Sequence, residues 1–181
     1  MAEVTQVRLS GLGGQGIVLA GVLLGQAGVL DGKYISASNS YGAQARGSAC
    51  KSEIVFAAEP IDFPHLLSAD ILVAMSQAAY DLYCPGMAAD GLILYDEGPA
   101  LPRKDAPARQ VGIPATQASI QKFKDAQMAN LILVGALVEI SQIVSPASIR
   151  KAVRMHVNKR FQGAALRALN LGMELGSRSH V

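Results

Sequence analysis

Apolar residues fall in short blocks through the first two-thirds of the chain and at helical spacing through the last third. Val4 to Leu9 alternates around Arg8 and reads as a strand that Ser10-Gly11 ends. Ile17 to Leu30 (IVLAGVLLGQAGVL) is apolar almost throughout and predicts a buried helix, stopped by Asp31-Gly32. Tyr34 to Ser38 predicts a short strand, NSYGAQARGS (39–48) a loop, and Ser52 to Ala57 a further strand. ILVA (71–74) and LILY (92–95) predict strands buried on both faces, with a short helix from Ser76 to Leu82 between them. Residues 99–115 carry four prolines and predict an extended excursion with a strand near Arg109–Val111. The period then turns helical. A helix is expected over Ala126–Val144, and Ser145-Pro146 starts another that runs to about Val157. Asn158 opens a last helix with Gly176 as its stop, leaving 177–181 as a frayed tail. This order predicts a single α/β domain over residues 1–176, with a mostly parallel sheet, a Rossmann-like glycine loop after the first strand and a helical C-terminal third.

Composition changes the picture in one respect. Of 181 residues, 50% are apolar and only 17% charged, below the roughly 25% of an average domain. Mean hydropathy is +0.27, so part of the apolar surface is expected to be buried against another subunit. That balance excludes disorder, and a net charge of +2 calls for no polyanionic partner and no nucleic acid. Cys50 and Cys84 form no CxxC, which removes zinc ribbons and sequence-local iron–sulfur ligand sets. A reducing, cytoplasmic compartment is the default. No basic n-region precedes an apolar stretch at the N-terminus. The longest apolar run, LILVGALV (131–138), is far short of the ~20 residues that span a bilayer.

Two glycine-bearing segments carry the candidate chemistry. Gly11, Gly13 and Gly16 satisfy G-x-G-x-x-G, with Gly14 and Gln15 between them, after a strand and before a helix. Such a turn lets a ligand approach the backbone and aims helix N–H groups at an anion. Against dinucleotide binding, no acid lies between Asp31 and Glu53, where a ribose-binding carboxylate belongs. The plain alternative is that the glycines only permit tight packing of strand, turn and helix. The second segment holds Ser40, Tyr41, Gly42, Arg46 and Gly47. Arg46 offers a planar donor fork for phosphate or carboxylate, unless it pairs with a local acid. If the first two strands are parallel neighbours, both segments emerge at one carboxyl edge. His65, His156 and His180 are scattered, and no metal site is expected. Lys51 beside Cys50 is placed to lower its pKa, against a simpler reading of both cysteines as buried structural thiols. Between Glu139 and Glu174 lie Arg150, Lys151, Arg154, Lys159, Arg160 and Arg167 with no acid, read first as a solvated helix face and next as a dock for an acidic partner.

GLGGQG with its apolar helix, then SYGAQARG and SEIVF, resembles the gamma subunit of 2-oxoacid:ferredoxin (acceptor) oxidoreductases. PIDFPHLLSADILVAMSQAAYD (60–81) is most similar to the 2-oxoglutarate branch. One departure is Arg46-Gly47-Ser48, where the family often has Arg-Gly-Gly. The resemblance implies an assembly that converts a 2-oxoacid and coenzyme A to acyl-CoA and carbon dioxide. It implies alpha and beta subunits and a ferredoxin-like delta subunit as partners, thiamine diphosphate, Mg2+ and iron–sulfur clusters on those partners, and ferredoxin as acceptor. This chain alone is expected to bind no cofactor and to have no catalytic residue of its own. Gly11, Gly13, Gly14, Gln15, Gly16, Ser40, Tyr41, Gly42, Arg46 and Gly47 are then the candidate anion or interface site. An isolated chain is expected to dimerise to hide apolar surface. The competing classes are a stand-alone NAD(P)-binding oxidoreductase and a non-enzymatic binding module.

Overall fold

The computed structural model describes residues 4–41 and 48–179. In chain order the elements are β1 (Val4–Leu12), α1 (Ile17–Leu30), β2 (Tyr34–Tyr41), β3 (Ala49–Ala57), β4 (Ala69–Ala74), α2 (Gln77–Tyr83), β5 (Met87–Asp96), β6 (Arg109–Ile113), α3 (Ala115–Phe123), α4 (Ala129–Ser141), α5 (Pro146–His156) and α6 (Lys159–Arg178).

The six strands form one sheet in the order β2-β3-β1-β4-β5-β6. β1, β4, β5 and β6 are parallel, whereas β3 runs antiparallel to both β1 and β2. The sheet is thus mixed and mostly parallel, but β1 and β2 are not neighbours as expected. The crossover through α1 carries β2 one position past β1. The shorter 42–48 connection then returns β3 into the gap as an antiparallel strand. β1 also runs beyond Ser10-Gly11, because Ser10, Gly11 and Leu12 pair with Lys51, Cys50 and Ala49.

One sheet face carries Val7 and Leu9 of β1, Ile54 and Phe56 of β3, and Ile71 and Val73 of β4, and builds the main core with the helices. The other face, over β4 and β5, buries Leu72, Ala74 and Ile93 against Tyr80 of α2 and Ala100 and Ala108 of the proline-rich excursion. The Tyr80 hydroxyl bonds to Gln110 Oε1 and accepts from the Arg103 N–H at 3.0 Å. Burial pushes its pKa up to about 12, so it stays a neutral pin for the excursion.

Helix boundaries follow close contacts that no local pattern announces. α4 is buried from Ala129 to Val138 and ends at Gln142, φ 52°. The helix expected over 126–144 is therefore shorter. α3, which lacks a strong apolar period, was not expected, and it stops at Lys124, φ 60°. α6 crosses α4 at bare backbone: a Cβ on Gly172 would lie 1.9 Å from the Ile132 carbonyl oxygen, and one on Gly135 2.1 Å from that of Leu169. Gly176 is part of this same seam, 3.0 Å from Ala136 Cα by the same measure, and so continues the helix instead of stopping it. Ser177 and Arg178 are helical too.

The seam predicts opposite outcomes for two glycines of one helix. Gly172→Ala must push two backbones apart and is expected to destabilise by about 1–3 kcal/mol despite alanine's better helix propensity. Gly163→Ala meets nothing closer than Arg167 Nη1 at 3.7 Å and is expected to stabilise by about 0.5–1 kcal/mol. Urea unfolding of both variants tests the pair; equal shifts would contradict it.

Candidate functional site

The carboxyl ends of β1 and β4 meet at one sheet edge, where open α/β folds bind ligands. β3 starts there and β2 ends there. Gly11 pairs with Cys50, and Cys50 pairs with Tyr41, so one backbone row links the two candidate segments across three strands. The Gly13 N–H donates to the Ser48 carbonyl at 2.8 Å, fastening the glycine turn to the end of the second segment. Ser40 lies in the same region, paired with Lys51 and exposed. Gly42, Arg46 and Gly47 lie outside the described residues.

The glycine turn is mostly filled by the protein's own side chains. The Gln15 carboxamide folds back beneath it: Oε1 accepts from the Leu12 N–H at 2.6 Å and Nε2 donates to the Met75 carbonyl at 2.9 Å. A Cβ on Gly11 would sit 2.4 Å from Gln15 Oε1. Asn130, at the start of α4, donates from Nδ2 to the Gly16 carbonyl at 3.1 Å, and a Cβ on Gly16 would lie 2.2 Å from that nitrogen. Tight packing therefore accounts for Gly11 and Gly16. Gly14 differs: φ is +98°, and no atom lies within 4 Å of where a Cβ would be. Gly16, φ +75°, is the N-cap of α1 and has no side chain to offer its first turn. The N–H groups of Leu12, Gly13 and Gln15 are taken by the Gln15 carboxamide, the Ser48 carbonyl and the Leu12 carbonyl, so the turn is closed inward by Gln15 and Asn130 and leaves open space at Gly14 beside the uncapped first turn of α1. Neither plug was expected. Their signals were a lone amide among glycines and a lone polar residue in ANLILVGALV.

Nearby charge is already committed. Glu53 Oε1 accepts from Arg8 Nε at 2.8 Å and lies 2.9 Å from Lys51 Nζ. The Arg8 guanidinium sits over the Tyr83 ring at 4.5 Å. Burial raises the Glu53 pKa, but hydrogen bonds and charge from Lys51 and Arg8 outweigh it and hold the carboxyl below its ordinary value. Lys51 therefore does not activate Cys50: burial pushes that thiol up, and both cysteines are free and buried. Among the described residues, no group of three or more His, Cys, Asp or Glu could hold a metal ion, and no helix is long and apolar enough to cross a membrane. What the described part of this edge leaves to a ligand is the first turn of α1, which no side chain caps; it carries no nucleophile paired with a base.

Comparison with known proteins is consistent along the whole chain. Residues 6–175 match the family model described as pyruvate ferredoxin/flavodoxin oxidoreductase. The 2-oxoglutarate synthase subunit KorC of Methanocaldococcus jannaschii is 42% identical over 94% of this chain and 92% of that protein. The pyruvate synthase subunit PorC of Methanothermobacter marburgensis is 26% identical over 82% of this chain and 84% of its own length. Among solved structures, the gamma subunit of a keto/oxoacid ferredoxin oxidoreductase from Geobacter sulfurreducens superposes with a TM-score of 0.85 at 29% identity, over 96% of this chain and 99% of that one. The 2-oxoglutarate:ferredoxin oxidoreductase of Magnetococcus marinus, with 2-oxoglutarate, coenzyme A and succinyl-CoA bound, shares the fold (TM-score 0.87, 18% identity) over 97% of this chain but 31% of its own.

Two measurements check the geometry. Gln15→Ala strands the Leu12 N–H and the Met75 carbonyl and is expected to cost about 1–3 kcal/mol in urea unfolding; an unchanged midpoint would mean the carboxamide is not the plug. The Glu53 pKa is depressed on folding below its ordinary 4.5. Its contribution to stability is then fully present above that value and is lost as pH falls through the depressed one. Glu53→Gln should lower Tm at neutral pH, and the gap to wild type should close on acidification below about pH 4.5; a constant gap would refute the assignment.

Proposed function

We propose a function from one premise: the chain belongs to the pyruvate ferredoxin/flavodoxin oxidoreductase family and is a gamma subunit of a 2-oxoacid:ferredoxin oxidoreductase. Its substrate class is 2-oxoglutarate. The observation that carries this reading is the near-full-length identity to a 2-oxoglutarate synthase subunit, well above that to a pyruvate synthase subunit. In the assembly, 2-oxoacid and coenzyme A become acyl-CoA and carbon dioxide, and two electrons leave for ferredoxin. Thiamine diphosphate with Mg2+ and the iron–sulfur clusters belong to alpha, beta and delta partners in the cytoplasm. The role of this chain is to complete the assembly around that chemistry.

Within that role, the turn at 11–16 and the segment at 40–47 form a Rossmann-like anion site for a phosphate of coenzyme A or a contact with the neighbouring subunit. Three observations support it: the Gly13–Ser48 bond, the open space at Gly14, and the first turn of α1, which no side chain caps. Arg46 is the side chain in this segment suited to grip a phosphate. A stand-alone NAD(P) enzyme is less well supported, because β2 ends in Asn39-Ser40-Tyr41 with no carboxylate for a ribose.

Affinity purification from the native source should recover thiamine- and cluster-bearing subunits with this chain; recovery of the chain alone under mild conditions would count against the assembly. In the reconstituted complex, Arg46→Ala is expected to raise the KM for coenzyme A or lower kcat by about tenfold, equivalent to about 1.4 kcal/mol, with the subunit still folded. Unchanged kcat and KM would remove Arg46 from the site.

A further inference from the structure

A hollow of about 290 Å³ lies at the sheet edge opposite the glycine turn, on the face that packs against α1 and α4. Thr5 and Phe56 oppose each other across the β1–β3 ladder and line it together with Ile71 of β4. Residues just past the end of α4 close a second side, ending in Ile143. Lys33, in the turn between α1 and β2, lines the remaining side. None of the lining residues is an acid.

The charge in this hollow is the Lys33 ammonium, on a half-buried residue. It donates to the Ile143 carbonyl at 2.6 Å and lies 5.9 Å from the centre of the Phe56 ring. That bond offsets the negative end of α4, but an ammonium has three donors. The other two have no acceptor among the described residues. Asp31 feels the Lys33 charge at a distance. Its oxygens, however, accept from the Ser145 N–H and from the hydroxyls of Ser145 and Ser148. No ion pair among the described residues includes Lys33. A cation drawn partly out of water without a counter-ion is costly. The Thr5 hydroxyl faces the same space, and it too has no hydrogen-bond partner among the described residues. Two unpartnered polar groups thus stand over an apolar floor, the pattern of a small-ligand site.

We infer that this hollow binds a small monocarboxylate with a short apolar tail, its carboxylate on Lys33 and Thr5 and its tail on Phe56, Ile71 and Ile143. At the ~30 Å³ that one water occupies in the liquid, the space holds a ligand of about ten non-hydrogen atoms. One cation serves one carboxylate; a second would meet apolar side chains with nothing to balance it. That excludes 2-oxoglutarate, a dicarboxylate, and sets this site apart from the substrate of the assembly. No residue of 11–16 or 40–47 lines the hollow, so the inference stands independently of the anion site proposed at the other edge.

Valerate and glutarate are matched probes, equal in carbon number and different by one carboxylate. Titrating valerate into the isotopically labelled full-length chain should move amide signals saturably in the millimolar range, clustered at residues 5, 33, 57, 58 and 141–143. Glutarate should bind about tenfold more weakly. Lys33→Met keeps the aliphatic stem and removes the charge, and should cost valerate about tenfold in affinity. Thr5→Val leaves the Lys33–Ile143 bond in place and should weaken valerate severalfold, which keeps the inference testable if Lys33→Met fails to fold. Valerate shifts that never saturate or that fall elsewhere would overturn it. So would equal affinity for glutarate, or valerate binding that Thr5→Val leaves unchanged. A Lys33→Met chain that is less stable, beside a wild-type chain that binds no valerate, would reduce Lys33 to a cap for α4.

Discussion

A backbone row from Gly11 through Cys50 to Tyr41 is the constraint on which the rest of the sheet edge depends. Antiparallel β3 lies between two strands that point the same way. It converts two segments distant in sequence into neighbours on one rim without asking their side chains to touch. The ladder fixes the ends of both segments by main-chain bonds, and the Gly13–Ser48 bond adds a clasp.

Much of this was legible in the chain, and the exceptions have a common cause. α5 begins where local chemistry begins it, at Ser145-Pro146, because capping is a short-range effect. Buried strands such as β4 announce themselves by unbroken apolar runs. The place of β3 did not, since strand order is decided by which surfaces bury together, and SEIVF suits either neighbour. Gly176 has the composition of a helix stop, but its contact with Ala136 is forty residues away in sequence and overrides it. At the candidate site, the spacing of glycines identified the turn, whereas its inward closure depends on Met75 and Asn130, which no local reading connects to residue 15.

The division of labour follows from the same geometry. Both thiols are buried, and Arg8, Lys51 and Glu53 satisfy one another. What the glycine turn leaves outward is the open space at Gly14 and the uncapped first turn of α1.

The glycine seam between α4 and α6 has a consequence for biogenesis. α6 follows every other described element in the chain. During vectorial synthesis on the ribosome, α4 must therefore wait with the Ile132–Ala136 strip uncovered until α6 emerges. Because the seam fits backbone to backbone, few other helices could stand in for α6 meanwhile. The nascent subunit is thus committed to a late, all-or-none closing step, and it is then that chaperones and proteases have their clearest view of it.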